Sequence, residues 1–509
     1  MPKTLGELAR AIPGARLVAG NLGTAIAAIT HDSRAVTPGA LFVALPGQRY
    51  DGTAFVPDAI RSGAVAVVSE REEPVPGVAW VRVRAARPAL ADLAAAWRDY
   101  PAERLRLVGV TGTDGKTTTT RLIGSLLSAA GRPCGWYTTA DLRIGDAVRP
   151  NEEHHTTPEA DRVQEVVAAI ADAGAAYAVM EASSHALAQE RLRGCAFDVG
   201  VFTNLSPEHL DYHGTLDAYL AAKARLFAML SEPTGKLGPR YAVLNADQPA
   251  SARLREVCTV PVVTYALDAP ADVRAEAIEE RSEGFRATIA TGVGRWPLTT
   301  RFVGRHNVAN WLAAVAVALR EGVPVEAIQQ AAPTIEPPPG RLQPVRRGQP
   351  FGVYVDFAHT PQALRAALGA VRGVARGRVL LAFGHAGNRT KANRPELGRI
   401  AAELADYFVI TNDDAYPEPP ADIAAAIEAG AREAGAVPGR QFEVVLDRRA
   451  AIRGLFERAR PDDVVLLAGK GHEAFLHVER VAAPWSDVAV AAELLAELGC
   501  ADAEAGRVD

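Results

Sequence analysis

What the chain lacks narrows it first. Its four cysteines, Cys134, Cys195, Cys258 and Cys500, lie far apart and none stands in a CxxC. That excludes a zinc knuckle or a disulfide framework and predicts buried structural thiols. No run of about 18 apolar residues occurs, and the start, MPKTLGELARAIPGA, has no continuous apolar core. Neither a membrane span nor a secretory signal is expected, so the expected location is the cytoplasm. No Lys/Arg tract stands out and the net charge is −5, which leaves no electrostatic case for nucleic acid or an anionic membrane. There is no internal repeat at solenoid period.

What is present is an ordinary globular mix, 48% apolar and 23% charged, over 509 residues, which suggests about three domains. Up to about residue 100, short strand-like runs (LFVAL, AVAVV, VAWVRV) precede a helical ALADLAAAW. From 103 to 335 the pattern is strand–loop–helix, with the runs RLRLVGV, YAVMEA, DVGVFT and YAVLNA. The turn PPPGR at 337–341 marks a boundary and a plausible hinge. A further α/β unit follows, with GVYVDF, RVLLAF, YFVIT and DVVLLA, and the tail ADAEAGRVD is expected to fray. In the last two units the unusual polar sequences come directly after apolar strand runs. In open parallel sheets that is where ligands bind.

LVGVTGTDGKTTTTRLIGSLL reads as a buried strand, a glycine loop and an amphipathic helix. Gly112 and Gly115 let backbone N–H groups face an anion at the helix start; Lys116 supplies a phosphate-directed cation and Thr117 a hydroxyl for Mg²⁺. The spacing departs from the standard phosphate loop, since Val110 holds the place of the first glycine. Glu181 ends the YAVME strand, and His209 and Asp211 follow VFTN. Beside a phosphate loop such residues suit Mg²⁺, which binds through few carboxylates plus substrate phosphates. In DAYLAAKARLFAML, Tyr219, Lys223, Leu226, Phe227 and Leu230 share one helical face. Lys223 there is either a snorkelling side chain or a desolvated amine of lowered pKa. A neutral amine takes up CO₂ to form a carbamate, a bidentate ligand for Mg²⁺.

These residues resemble the Mur ligase superfamily over nearly the whole chain. TGTDGKTT is similar to its phosphate loop, which implies ATP contacts from Gly112, Thr113, Asp114, Gly115, Lys116, Thr117 and Thr118. YxxAKxxLF, its carbamylated-lysine motif, is matched at Tyr219, Ala222, Lys223, Leu226 and Phe227. GRHNVAN implies Asn307 near the adenine; Arg341 and Asp356 resemble ribose- and phosphate-side contacts. Within the superfamily the resemblance is strongest to the MurE-type tripeptide synthetases. HDSRAVTPGALFVALPGQRYDG implies Ser33 and Arg34 on uridine. HTTPE implies substrate contacts from Thr156 and Thr157, with His155 where Asn is usual. EASSHALAQER implies Ser183, Gln189 and Arg191 on the UDP-muramoyl dipeptide, and GKGHE at 469–473 is a further signature.

The resemblance implies an α/β fold of three domains, 1–101 for the UDP-substrate, 102–336 a central P-loop-type ATPase domain, and 337–509 a Rossmann-like amino-acid domain of mostly parallel sheet. It implies a monomer whose partners are small molecules: ATP, UDP-MurNAc-L-Ala-D-Glu and a diamino acid. Catalysis would fall to Lys116, Glu181, His209 and Lys223, and Mg²⁺ to Thr117, Glu181, His209 and Lys223 as N6-carboxylysine. Two other readings compete. One is another Mur-type or folylpolyglutamate-type ligase, against which DSR, TTP, SSH and GKGHE argue. The other is a nucleotide-binding scaffold, which would have no need of Lys116, Glu181, His209 and Lys223 together.

The acceptor pocket is where the sequence departs most. FGHAGNRTKANRP aligns with FGCGGDRDKGKRP of the family and puts Arg389 on the carboxylate next to the reacting amine. Counting on, the family's DNPR, whose arginine clamps the distal carboxylate of meso-diaminopimelate, falls on Asp413-Asp414-Ala415-Tyr416. Tyr416 cannot make a bidentate pair with a carboxylate. Gly469 and Glu473 should line the far end. Three acids and no evident cation favour a terminal ammonium, hence L-ornithine or L-lysine ahead of meso-diaminopimelate.

Overall fold

The computed structural model describes residues 3–47, 51–153, 155–478 and 481–500. The tail 501–509 lies outside them, as do residues 48–50 of the segment matched to uridine binding. Compactness divides the chain into two units, 1–116 with 123–264 and 117–122 with 265–509.

The first unit holds two sheets. The strands expected near the N-terminus form at Ala40–Val43, Ala66–Ser69 and Ala79–Arg82. They pair in parallel, with Ala28–Thr30 on one side and antiparallel Arg16–Ala19 on the other. Helix Ala86–Trp97 turns Leu90 and Leu93 into the same core as Leu41, Val68 and Val81. In the second sheet, Arg106–Thr111 lies between Tyr177–Glu181 and Val199–Phe202, with Cys134–Tyr137 and Tyr241–Asn245 beyond them, all parallel. Such strands are covered on both faces, which is why each reads as an unbroken apolar run.

The second unit opens with an antiparallel meander, Val273–Arg281, Gly284–Thr291 and Gly294–Thr300, and helix Arg305–Arg320, whose apolar side chains are almost all buried. Its main sheet runs Gln343–Pro344, Gly352–Asp356, Val464–Ala468, Val379–Phe383, Tyr407–Ile410, Phe442–Val444, parallel beyond the first pairing. DFAHTP, FGHAGNR, TNDDAY and GKGHE each follow the carboxyl end of one of these strands. A small hairpin, Phe475–Val478 with Val481–Pro484, comes after GKGHE. Among the described residues no helix is long and apolar enough to cross a membrane. Of the four thiols, Cys134 and Cys195 are buried as expected and pushed up to about 12, chiefly by that burial. Cys258 and Cys500 are only half-buried.

Candidate functional site

The phosphate loop owes its shape to its two glycines. Gly115, with φ 82°, starts helix Lys116–Ala129 and, having no side chain, makes no cap hydrogen bond to it. A Cβ on Gly112 would overlap the Thr203 hydroxyl. Asn204 holds the loop in place: its Oδ1 accepts from the Asp114 N–H at 2.9 Å and its carbonyl from the Thr113 N–H at 3.0 Å. The Lys116 ammonium folds back to donate to the carbonyls of Gly112 and Thr113, at 3.0 and 2.6 Å.

Lys223 does not snorkel. Helix Leu216–Met229, capped by the Thr215 hydroxyl, carries it inward until it is 1% exposed. Its Nζ donates to the Gly112 carbonyl at 2.7 Å and lies 4.1 Å from the centre of the Tyr219 ring. Burial, and then the charge of Lys116, hold its pKa well below the ordinary lysine value. Tyr219 Oη in turn lies 3.3 Å from the Thr113 hydroxyl. His209 is nearby, its ring centre 6.2 Å from that of Tyr219 and 4.7 Å from that of His185. His185 is pushed down to about 4, first by burial.

Glu181 is buried, its carboxylate accepting from Thr139 N at 2.7 Å and from the Thr139 hydroxyl. Its carbonyl accepts from Thr157 Oγ1 at 2.8 Å, and that oxygen accepts from Ser183 N at 3.1 Å. Arg191 donates to the Thr157 carbonyl at 3.0 Å and, through Nε and Nη2, to Gln189 Oε1. So Thr157, Ser183, Gln189 and Arg191 are brought together beside Glu181. Ser33 and Arg34 form a turn capped by Asp32, whose carboxylate also takes the Arg34 guanidinium at 2.7 Å.

In the second unit, Arg341 Nη2 reaches Thr117 Oγ1 at 3.4 Å and the guanidinium lies over the Phe357 ring. The Asp356 carboxylate accepts from the N–H groups of Leu342 and Ala358, at 2.7 and 2.8 Å. Asn307 is buried, with its amide on the Val303 carbonyl and on Asn310. The PPPGR turn packs tightly on GKGHE, since a Cβ on Gly340 would meet the backbone of Gly471 and His472.

The cluster expected to form the acceptor pocket corrects the expected charge inventory. Asp413, Asp414 and Glu473 do converge, all within metal-ligand spacing of one another, but they surround a cation. Lys470, fully buried, lies 2.8 Å from Asp414 Oδ1, 2.7 Å from Glu473 Oε2 and 4.0 Å from Asp413 Oδ1. Burial alone would lower its pKa, but the three carboxylates overcome that and raise it. Burial pushes the Asp413 carboxyl up and the Glu473 carboxyl up to about 7, against the pull of Lys470. The signal was in plain view: Lys470 is the lysine of GKGHE. The count of acids took Glu473 from GKGHE and passed over the lysine three residues before it. Gly469 is pressed against Asp413, where a Cβ would come within 2.6 Å of Oδ2.

The hairpin was also unforeseen. His477 donates its N–H to Asp414 Oδ1 at 2.8 Å, its carbonyl accepts from Ala415 N at 2.8 Å, and its ring stacks on Tyr416 at 4.9 Å. Tyr416 adopts a left-handed backbone, φ 51°. Arg389 stands in an exposed loop whose Gly387 N–H donates to the Asp414 carbonyl at 2.8 Å.

Known proteins match nearly the whole chain. Residues 25–98 match the Mur ligase family catalytic domain, 110–318 the Mur ligase middle domain, and 340–471 the Mur ligase glutamate ligase domain. The UDP-N-acetylmuramyl-tripeptide synthetase of Roseiflexus sp. is 45% identical over 487 residues, covering 93% of this chain and 95% of that one. The UDP-N-acetylmuramoyl-L-alanyl-D-glutamate–2,6-diaminopimelate ligase of Geobacillus thermodenitrificans is 40% identical, covering 92% and 94%. A solved ligase of that second description superposes with a TM-score of 0.69 at 30% identity, over 98% of this chain and 100% of the other. The expected α/β architecture of three domains with mostly parallel sheets holds. The chain belongs to the Mur ligase superfamily and is an ATP-dependent ligase of its MurE type.

Proposed function

We propose that the enzyme joins a diamino acid to the γ-carboxylate of D-Glu in UDP-MurNAc-L-Ala-D-Glu, a cytoplasmic step of peptidoglycan precursor synthesis carried out by a monomer. The domains would divide the work at 1–101, 102–336 and 337–509. The observation that carries this reading is Lys223, a buried amine of lowered pKa bonded to the phosphate loop.

The chemical problem is that a carboxylate is a poor electrophile. A carboxylate oxygen attacks the γ-phosphorus of ATP and the bond to ADP breaks, leaving an acyl phosphate. The acceptor amine then attacks the acyl carbon, loses a proton, and phosphate departs. Positioning and charge neutralisation do most of this work. Lys116, now capping loop carbonyls, would turn to the migrating phosphoryl. Gly112 to Thr118 would cradle the phosphates, with Asn307, Arg341 and Asp356 on the nucleoside side. Ser33, Arg34, Thr156, Thr157, Ser183, Gln189 and Arg191 would hold the UDP-substrate.

The donor set fits Mg²⁺: Thr117 and Glu181 are buried oxygen donors, and a neutral Lys223 can add CO₂. In that addition an N–C bond forms and one proton leaves, giving N6-carboxylysine. Thr117, Glu181, His209 and carbamylated Lys223 would be the ligands, and the ion, when bound, supplies charge neutralisation at the phosphates.

For the acceptor, Arg389 would take the α-carboxylate, with Asp413, Asp414, Tyr416, Gly469 and Glu473 around the distal end. Lys470 offsets only part of the charge of three acids, and position 416 lacks an arginine. L-ornithine or L-lysine is therefore favoured over meso-diaminopimelate. The meso-diaminopimelate reading stays as the second, because Lys470 is a cation in the pocket and 40% identical relatives are named as 2,6-diaminopimelate ligases. Phosphate release from ATP is the test, measured with and without UDP-MurNAc-L-Ala-D-Glu while the three amino acids compete. Release must require the UDP-substrate. A clear preference for meso-diaminopimelate would overturn the charge argument.

A further inference from the structure

Two buried-side ion pairs tie the N-terminal layer of the first unit to its substrate cluster, and both centre on the residues just after Thr156 and Thr157. Glu159 precedes helix Ala160–Asp172 and caps nothing. Its carboxylate lies 2.9 Å from Arg191 Nη2 and 3.3 Å from Arg87 Nη1. Arg87 belongs to helix Ala86–Trp97 of the N-terminal layer. Arg191 is the arginine already bonded to Thr157 and Gln189. Two residues on, Asp161 Oδ2 sits 2.8 Å from His31 Nδ1, and His31 directly precedes Asp32-Ser33-Arg34.

These pairs differ from the ordinary surface pairs of the chain. The side chains of Arg191 and Glu159 are 13% and 20% exposed, and those of His31 and Asp161 30% and 18%, against 49% and 66% for Arg104 and Asp172. Partly buried charges cost desolvation that an apolar seam avoids, whereas they fix register and orientation well. One carboxylate answering to an arginine from each layer is a registering device.

We propose that Glu159 and the His31–Asp161 pair are positioning residues, which hold segment 31–34 in register with Thr156, Thr157 and Arg191 so that one UDP-linked substrate meets both at once. The proposal rests on the UDP-substrate reading above. It concerns the binding of one substrate of three, and so has a kinetic signature that loss of general stability lacks.

The test compares Glu159→Gln with the unaltered enzyme. The KM for UDP-MurNAc-L-Ala-D-Glu should rise about tenfold, the size of losing hydrogen bonds to a charged group. The KM values for ATP and the diamino acid, and kcat, should stay within about twofold. Arg87→Gln, made at the opposite side of the hub, should raise the same KM and carries the measurement if Glu159→Gln does not fold. His31 adds a pH readout. Burial opposes its charged form, but Asp161, with Glu159 and Asp32, outweighs burial and raises its pKa. The pairing is therefore complete at low pH and lost as pH climbs through that raised value, so the same KM should climb there, and Asp161→Asn should flatten the climb. An unchanged KM in both arginine-hub variants, or an equal loss in all three KM values and kcat, overturns the proposal. If the unaltered enzyme releases no phosphate in response to the UDP-substrate, the reading beneath it falls as well.

Discussion

Two buried lysines, each almost without solvent exposure, carry opposite perturbations. Lys223 meets a carbonyl, an aromatic face and the charge of Lys116, and its pKa falls well below the ordinary value. Lys470 meets three carboxylates, and its pKa rises. Burial pushes both the same way, so the neighbours decide the outcome. One site thus disfavours the charged form of its lysine, the other favours it.

The most damaging way to break this comparison is to remove the buried amine proposed above to take up CO₂. Lys223→Ala should lower kcat by about a thousandfold, the loss expected when a group stabilising transition-state charge is removed. A short-chain carboxylic acid added to the assay should restore part of it by standing in for the carbamate. Full activity in the unassisted variant would remove the carbamate from the mechanism. Lys470→Met should act on stability instead. Removing the cation from two buried acids, Asp413 and Asp414, and the half-buried Glu473 costs about 3 kcal/mol, which thermal melting of the full chain should register as a transition several degrees lower. An unshifted transition would mean that Lys470 is not what offsets the cluster's charge, and would leave that role to Arg448, whose charge also acts on Asp413.

The same contrast explains what could be read from the sequence. Lys223 was legible because one helix carries the whole signal: the periodicity places it on the apolar stripe, and the structure buries it there. The strands were legible for a similar reason, since parallel strands covered on both faces are continuous apolar runs such as YAVME and VVLLA. The meander at 273–300 was not, because its strands alternate polar and apolar residues and sit among charged ones. Lys470 was missed because two of its three acid partners, Asp413 and Asp414, lie in a distant loop that the parallel sheet brings beside it. The role of His477 was hidden likewise, as its bond to Asp414 is made by a backbone N–H, which no side-chain inventory reveals.

A substitution in the loop proposed to set acceptor selectivity sharpens the contrast between the fixed Lys470 ammonium and one carried by an acceptor. Tyr416→Arg combined with Asp414→Asn puts the arginine of DNPR at position 416 and removes one acid. Preference for meso-diaminopimelate over L-lysine, measured by competition, should rise between about tenfold and a hundredfold, the worth of a charge-assisted bidentate pair. Tyr416 stacks on His477, so some loss of kcat is expected for both acceptors. Only the ratio bears on selectivity, and an unmoved ratio would place the distal group elsewhere.

The smallest effect comes from the acid that shares Lys470. The Glu473 carboxyl is pushed up to about 7, by burial first and by Asp413 and Asp414 as well, with Lys470 pulling the other way. Below that value it is protonated and the cluster carries one negative charge fewer; as pH rises through it, the charge appears. An acceptor ending in an ammonium should then bind better and one ending in a carboxylate worse. The side-chain amines of lysine and ornithine stay protonated across this range. Deprotonation of the attacking α-amine affects every acceptor alike, so it cancels in a ratio. Between pH 6 and 8 the KM of L-lysine relative to that of meso-diaminopimelate should therefore fall by about fivefold, roughly 1 kcal/mol of charge interaction. Glu473→Gln should leave the ratio flat, since the amide keeps the shape and cannot ionise. A slope that survives in the variant would belong to Asp413, whose carboxyl is also raised by burial, and would move the discriminating charge from GKGHE to the loop of residues 411–416.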